Sequence, residues 1–163
     1  MKIRFASAVA APVVAMIAVL GVLAGPALGD SAADIVKKRQ ETMKQLGANM
    51  KAITEFVKTG QGSAGDVAAR AGQIAATAKL IPSLFPAGTG MDMVTDPKTG
   101  AKPEIWVDFT KFEAAAANLG DLAGKLQQAA AGGDAAAIGA ALAPVGKEGC
   151  GGCHTPFRQK LDN

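Results

Sequence analysis

Cys150-Gly151-Gly152-Cys153-His154 stands near the C-terminal end of the 163-residue chain. On a helix the two thiols and the imidazole fall at i, i+3 and i+4, so all three leave one face. In this order they are the attachment signature of a c-type haem: Cys150 and Cys153 form thioethers to the porphyrin, and His154 ligates the iron. Other chemistries also use Cys-x-x-Cys. Structural zinc usually takes four Cys or His ligands, whereas this chain holds two Cys and one His in all. A thioredoxin-like redox pair sits beside a βαβ pattern, which the sequence lacks, and leaves His154 without a role. A disulfide between residues so close in sequence closes too small a loop to stabilise much. The expected cofactor is one covalent haem c per chain.

Upstream of the motif, Ile138, Leu142 and Val145 run at helical spacing, after a Gly132-Gly133 break and a capping Asp134. Pro144 is expected to bend this helix or remove one of its hydrogen bonds. Gly149, Gly151 and Gly152 weaken its propensity while letting a porphyrin approach closely. The preceding helix is expected from Pro103-Glu104 to about Ala131, with Phe109, Phe112, Ala116, Leu119, Leu122 and Leu126 as its apolar stripe. The segment after Pro82, up to Lys102, carries three Gly and two Pro and reads as a long crossover loop. Before it, Val67, Ala71, Ile74, Ala78 and Ile81 form a second helix, with Asp66 as the expected cap and the Gly/Ser-rich residues Gly60 to Gly65 as its connection.

The first helix spans Ser31 to about Thr59. Its stripe is Ile35, Arg39, Met43, Leu46, Met50, Ile53 and Val57, at steps of 4, 4, 3, 4, 3 and 4. Arg39 is the exception on an otherwise apolar face. A buried arginine needs an anionic partner, for which a haem propionate is suited; the other reading is a side chain that snorkels to water. Four amphipathic helices, one long crossover and a cofactor motif on the last helix describe an all-α fold. The expectation is an antiparallel four-helix bundle with its haem near the C-terminus.

Six Phe, one Trp and no Tyr give little aromatic volume for a core, which a porphyrin would supply. Lys2 and Arg4 precede an apolar run from Phe5 to Leu23 and then Ala24-Gly25-Pro26-Ala27-Leu28-Gly29. Ala27 and Gly29 suit signal peptidase, so residues 1–29 are expected to be a cleaved leader and 30–163 the bundle. A retained membrane anchor is the alternative, disfavoured by Pro26 and the small residues. Export to the periplasm also suits c-type attachment. Without the leader, fifteen basic residues face fourteen acidic ones, which points away from nucleic acid.

Residues 31–163 resemble the class II cytochromes c, the group of cytochrome c prime and its low-spin relatives, whose haem motif lies near the C-terminus. The resemblance rests on Arg39-Gln40-Glu41-Thr42-Met43-Lys44 with Gly47 and Met50-Lys51, then Leu84-Phe85-Pro86 and Pro103-Glu104-Ile105-Trp106. Val145-Gly146 before the motif and Phe157-Arg158 after it complete the order. Pro156, and the glycines around the motif, depart from the family pattern.

The resemblance implies a basic residue, Arg158, beside the proximal imidazole. It also implies that Met43 faces the distal side of the iron. Low-spin members use a Met sulfur there as sixth ligand, and the expectation is that Met43 ligates. The other reading makes Met43 a core spacer like Met50, with Met91 and Met93 of the crossover as rival ligands. Ligation implies a periplasmic electron carrier cycling Fe(II)/Fe(III); a vacant distal side implies a five-coordinate protein binding nitric oxide or carbon monoxide. Neither calls for an enzyme. Expected partners are redox proteins not identified by the sequence, with Lys147, Arg158 and Lys160 favouring an acidic patch, and the family implies a homodimer through the first two helices.

Overall fold

A computed structural model describes residues 30–161. The expected leader, residues 1–29, lies outside them. Helix α1 spans Ala32–Thr59, α2 Ala64–Leu80, α3 Glu104–Val107, α4 Phe109–Ala131, α5 Ala135–Pro144 and α6 Gly151–Phe157. A short 3-10 turn covers Pro82–Leu84, and a π-helical segment, Val145–Cys150, joins α5 to α6. None of these helices is long and apolar enough to cross a membrane.

Local chemistry sets the helix ends. Ser31 accepts from Asp34 N at 3.2 Å while its hydroxyl donates to Asp34 Oδ2 at 2.6 Å. The same box recurs at α2, where Ser63 accepts from Asp66 N at 3.0 Å and donates to Asp66 Oδ2 at 2.7 Å. Asp66 is therefore the third residue of the box, and Ser63 is the cap that spacing alone had given to Asp66. Gly60, at φ 71°, ends α1 in the left-handed conformation, its N–H donating to Phe56 O at 2.8 Å. Asp134 caps α5 as expected, accepting from Ala136 N at 2.9 Å.

The helix expected from Pro103 is two pieces. Asp108, at φ −137° and ψ 72°, interrupts it after one turn and then caps α4 by accepting from Lys111 N at 3.1 Å. The break lets the chain turn from the crossover into the long axis of α4.

Four walls form around one core, with α1 beside α2, α2 beside α4, and α4 beside the composite last helix. The α2 stripe is wholly buried: Val67, Ala71, Ile74, Ala78 and Ile81. Alanine and glycine let α2 and α4 lie close, a Cβ on Gly120 falling 3.5 Å from Ala78 Cβ. On α1, Arg39, Leu46 and Ile53 are buried, while Ile35, Met43, Met50 and Val57 are half-buried. Val36, off the expected stripe, is fully buried as well.

Phe112 is the aromatic hub of the core. Its ring lies 4.7 Å from Phe85, 5.8 Å from Phe109 and 5.4 Å from Phe157, centroid to centroid. It thereby ties the crossover and α4 to the end of α6.

Pro144 does not end the last helix. Val145 N–H reaches back three residues to Leu142 O, and Gly151 N–H reaches back five, to Gly146 O. A tight turn at the proline is followed by a wide one, so the chain stays helical without the proline's hydrogen bond. Pro156 likewise lies inside α6, which runs on to Phe157.

Candidate functional site

Cys150 closes the π-helical segment, and Cys153 and His154 lie on α6. All three are half-buried. The segment is pressed onto α4: a Cβ on Gly149 would lie 2.9 Å from Leu119 Cδ1 and 3.4 Å from Leu119 Cα. Asn118 Nδ2 donates to Glu148 O at 3.2 Å in the same contact. Gly152, by contrast, has open space where a Cβ would be. Gly149→Ala is accordingly expected to destabilise the holoprotein by about 1–2 kcal/mol through overpacking. Thermal unfolding of Gly149→Ala beside the parent holoprotein checks this.

The thiols are not paired with each other. Burial pushes the Cys150 thiol up, and burial together with the neighbouring Cys150 pushes Cys153 up to about 11. A redox dithiol needs the opposite, a thiolate favoured by positive surroundings. Burial first, and the charge of Arg158 second, lower the His154 pKa, which favours the neutral imidazole that iron takes. Arg158 itself is exposed, and its N–H donates to His154 O at 3.2 Å.

Across the bundle, α1 runs antiparallel to the last helix. Val57 Cγ1 lies 3.4 Å from where a Gly139 Cβ would sit, and Met50 Cε lies 4.0 Å from the equivalent point on Gly146. The two chains close on each other at α5, whereas α1 makes no comparable contact with α6. Met43, Met50, Cys150 and Cys153 are all partly buried against the same core. Two free thiols, one imidazole and thioether side chains around diverging helices fit a c-type haem by donor set and by apolarity. Among the described residues no cluster of three or more His, Cys, Asp or Glu offers a competing metal site.

Arg39 does not snorkel: it is 3% exposed. Its Nη1 donates to Thr89 Oγ1 at 3.3 Å, and its Nη2 to Thr89 O at 2.9 Å and Thr99 Oγ1 at 2.8 Å. The guanidinium carbon lies 4.3 Å over the Phe85 ring. These partners are all neutral. Burial lowers its pKa to about 10, which leaves it charged at neutral pH. Gln40, the next residue, donates to Lys98 O at 2.8 Å.

The crossover is thus more ordered than its composition suggests. Lys102 N donates to Phe157 O at 3.1 Å, Gln159 N to Gly100 O at 2.8 Å, and Ala101 pairs with Arg158 in an isolated antiparallel bridge. Neither Thr89 nor Thr99 had been singled out from the sequence, since both sit in an aperiodic segment. The one available hint was Arg39, a buried charge in need of partners. Of the two crossover methionines, Met91 is half-buried, and Met93 is 67% exposed on the outer surface.

The family model described as Cytochrome C′ matches residues 34–158. A cytochrome c′ from Pararhodospirillum photometricum is 38% identical over 124 residues, which cover 76% of this chain and 95% of that one. A cytochrome c-556 from Agrobacterium tumefaciens (strain B2A) is 36% identical over 126 residues, 77% of this chain and 97% of that one. Among solved structures, the nitric oxide complex of a cytochrome c prime variant from Alcaligenes xylosoxidans superposes with a TM-score of 0.68 at 30% identity, covering 80% of this chain and 98% of that one.

Proposed function

The chain belongs to the cytochrome c′ family and is a c-type haem protein, and from that premise we propose that it is a periplasmic electron carrier with His154 and Met43 as axial ligands. The antiparallel register supports this reading. From Val57 opposite Gly139 to Met50 opposite Gly146, each helix advances by seven residues. One more such step, about 10 Å along each axis, brings α1 to Met43 and the last helix to Cys153, beside His154. Met50 Cε already lies 4.0 Å from the Cβ position of Gly146, one step away, which favours Met43 over Met50 as the thioether nearer the motif.

When bound, the haem supplies the redox couple, its iron cycling between Fe(II) and Fe(III). The chain's own part is to hold the iron's surroundings fixed through that cycle. Cys150 and Cys153 would anchor the macrocycle by thioethers, His154 would offer a neutral imidazole, and Met43 would offer a sulfur that raises the potential. Leu46, buried one turn after Met43, keeps that face of α1 apolar. Neither this role nor its rival is catalytic. Cleavage after Gly29 releases residues 30–163 as the working domain, and an acidic surface on the redox partner would suit Lys147, Arg158 and Lys160. A homodimer through α1 and α2 is the expected assembly, checked by sedimentation.

The absorption spectrum of the purified holoprotein tests the reading. Sharp α and β bands on reduction, with a weak far-red sulfur-to-iron band when oxidised, are expected. A broad high-spin spectrum would sink it in favour of the second reading, a five-coordinate gas-binding protein. That second reading is favoured by the relative whose structure is a nitric oxide complex.

A further inference from the structure

The crossover touches both helices that flank the motif. On one side Thr89 and Thr99 hold Arg39, one turn before Met43, and Lys98 O holds Gln40. On the other, Gly100, Ala101 and Lys102 are paired with Phe157, Arg158 and Gln159, just beyond His154. Lys102 Nζ also donates to Pro156 O at 3.0 Å. One oxygen links the two sides, since Thr99 Oγ1 accepts from Arg39 Nη2 at 2.8 Å and from Ala101 N at 3.3 Å.

This strap matters because α1 and α6 do not brace each other. The C-terminal half of α1 rests on α5, through Val57 against Gly139. α1 also packs along α2 and the 3-10 turn, and near its N-terminal end Arg39 and Gln40 are bound to the crossover. Met43 lies between the two supports, one turn from Arg39 and one from Leu46.

We propose that Arg39, Thr89 and Thr99 form a positioning device, a strap that fixes the spacing between α1 and α6 and so determines whether the Met43 sulfur reaches the iron. This inference rests on the reading of Met43 as sixth ligand. The cage suits the role because the guanidinium is buried and two of its three acceptor oxygens are hydroxyls of threonines that are themselves 2% and 6% exposed. Losing one hydroxyl leaves a charged donor unpaired away from water, a penalty relieved only if the loop or α1 shifts.

Thr99→Val removes the shared hydroxyl at nearly constant volume, and Thr99→Ser retains it. In the holoprotein, Thr99→Val is expected to raise the high-spin fraction and the apparent affinity of the reduced iron for carbon monoxide about tenfold, the scale of one charge-assisted hydrogen bond. Amide exchange across residues 98–102 and 157–159 should quicken with it. Thr99→Ser should match the parent in all three readouts. If Thr99→Val does not fold, Arg39→Lys, which keeps the charge and loses the fork, is read in the same way. Faster exchange with an unchanged spectrum and unchanged carbon monoxide binding would make the strap merely structural and overturn the inference. Met43→Leu separates the two levels. If it leaves a native low-spin spectrum, the ligation reading falls and the inference with it. If it turns the iron high-spin while a loosened Thr99→Val does not, the inference alone falls.

Discussion

With Met43 as the proposed sixth ligand, Met43→Ala is expected to turn a six-coordinate, low-spin iron into a five-coordinate, high-spin one. The register of α1 against the last helix supplies no second thioether at that level, since Met50 is seated at Gly146, about 10 Å along the axis. Met93 lies on the outer surface at 67% exposure. The far-red sulfur-to-iron band should vanish, the reduced α and β bands should merge, and carbon monoxide should bind the reduced protein readily. The reduction potential should fall on the order of 0.1 V, within the roughly 0.8 V range over which axial ligands set haem potentials. Stability should change little, because Met43 is only partly buried. An unaltered spectrum in Met43→Ala would assign the sixth position to another residue.

Phe112→Ala acts on the fold rather than on the iron. The ring is 2% exposed and meets three other aromatic rings, one from the crossover, one from its own helix and one from the end of α6. Truncating a buried phenylalanine costs about 3–5 kcal/mol in lost burial and residual cavity. That is a large part of the roughly 5–15 kcal/mol that holds a domain folded. Thermal unfolding should therefore occur roughly 10–20 °C lower. The haem should remain attached, because its thioethers are covalent. Phe112→Leu, which keeps most of the volume, should recover most of the loss. A Phe112→Ala variant melting within a degree or two of the parent would mean that the aromatic cluster is not what joins the crossover to α6.

Much of this architecture was legible because two of its signals are local. The α2 stripe emerged residue for residue, since burying one face of an amphipathic helix imposes a period that survives any detail of packing. The Cys-x-x-Cys-His motif stood out because its residues are contiguous. Arg39 was marked as anomalous by its place on an apolar face, but its partners, some fifty and sixty residues away, left no periodic trace. Thr89 and Thr99 are ordinary residues in an irregular segment; only the closed fold gives them a buried charge to hold. The interruption at Asp108 was hidden by Pro103-Glu104, which resembles a helix start and does begin one, but a helix of a single turn. At Ser63 and Asp66 both partners of a capping box were visible, and spacing alone could not say which was the cap.

Pro144 was expected to bend the last helix or remove one of its hydrogen bonds, and there the chain stays helical while its turn widens. Val145 and Phe157 are both buried in the same core, twelve residues apart. A plain α-helix would set them about a third of a turn out of phase. A stretch of π-helix, with roughly 4.4 residues per turn, brings that separation close to three whole turns. The wide turn is in effect a stored insertion: the segment holds one residue more than an α-helix needs to join the same two core positions. A chain shortened by one residue between Val145 and Cys150 could close the turn to α-geometry and still present both thiols and the imidazole inward. A chain lengthened by one would have no such reserve, and would turn the motif about 100° away from the partner helix. Tolerance to changes in length is therefore one-sided in the wide turn that ends at Cys150.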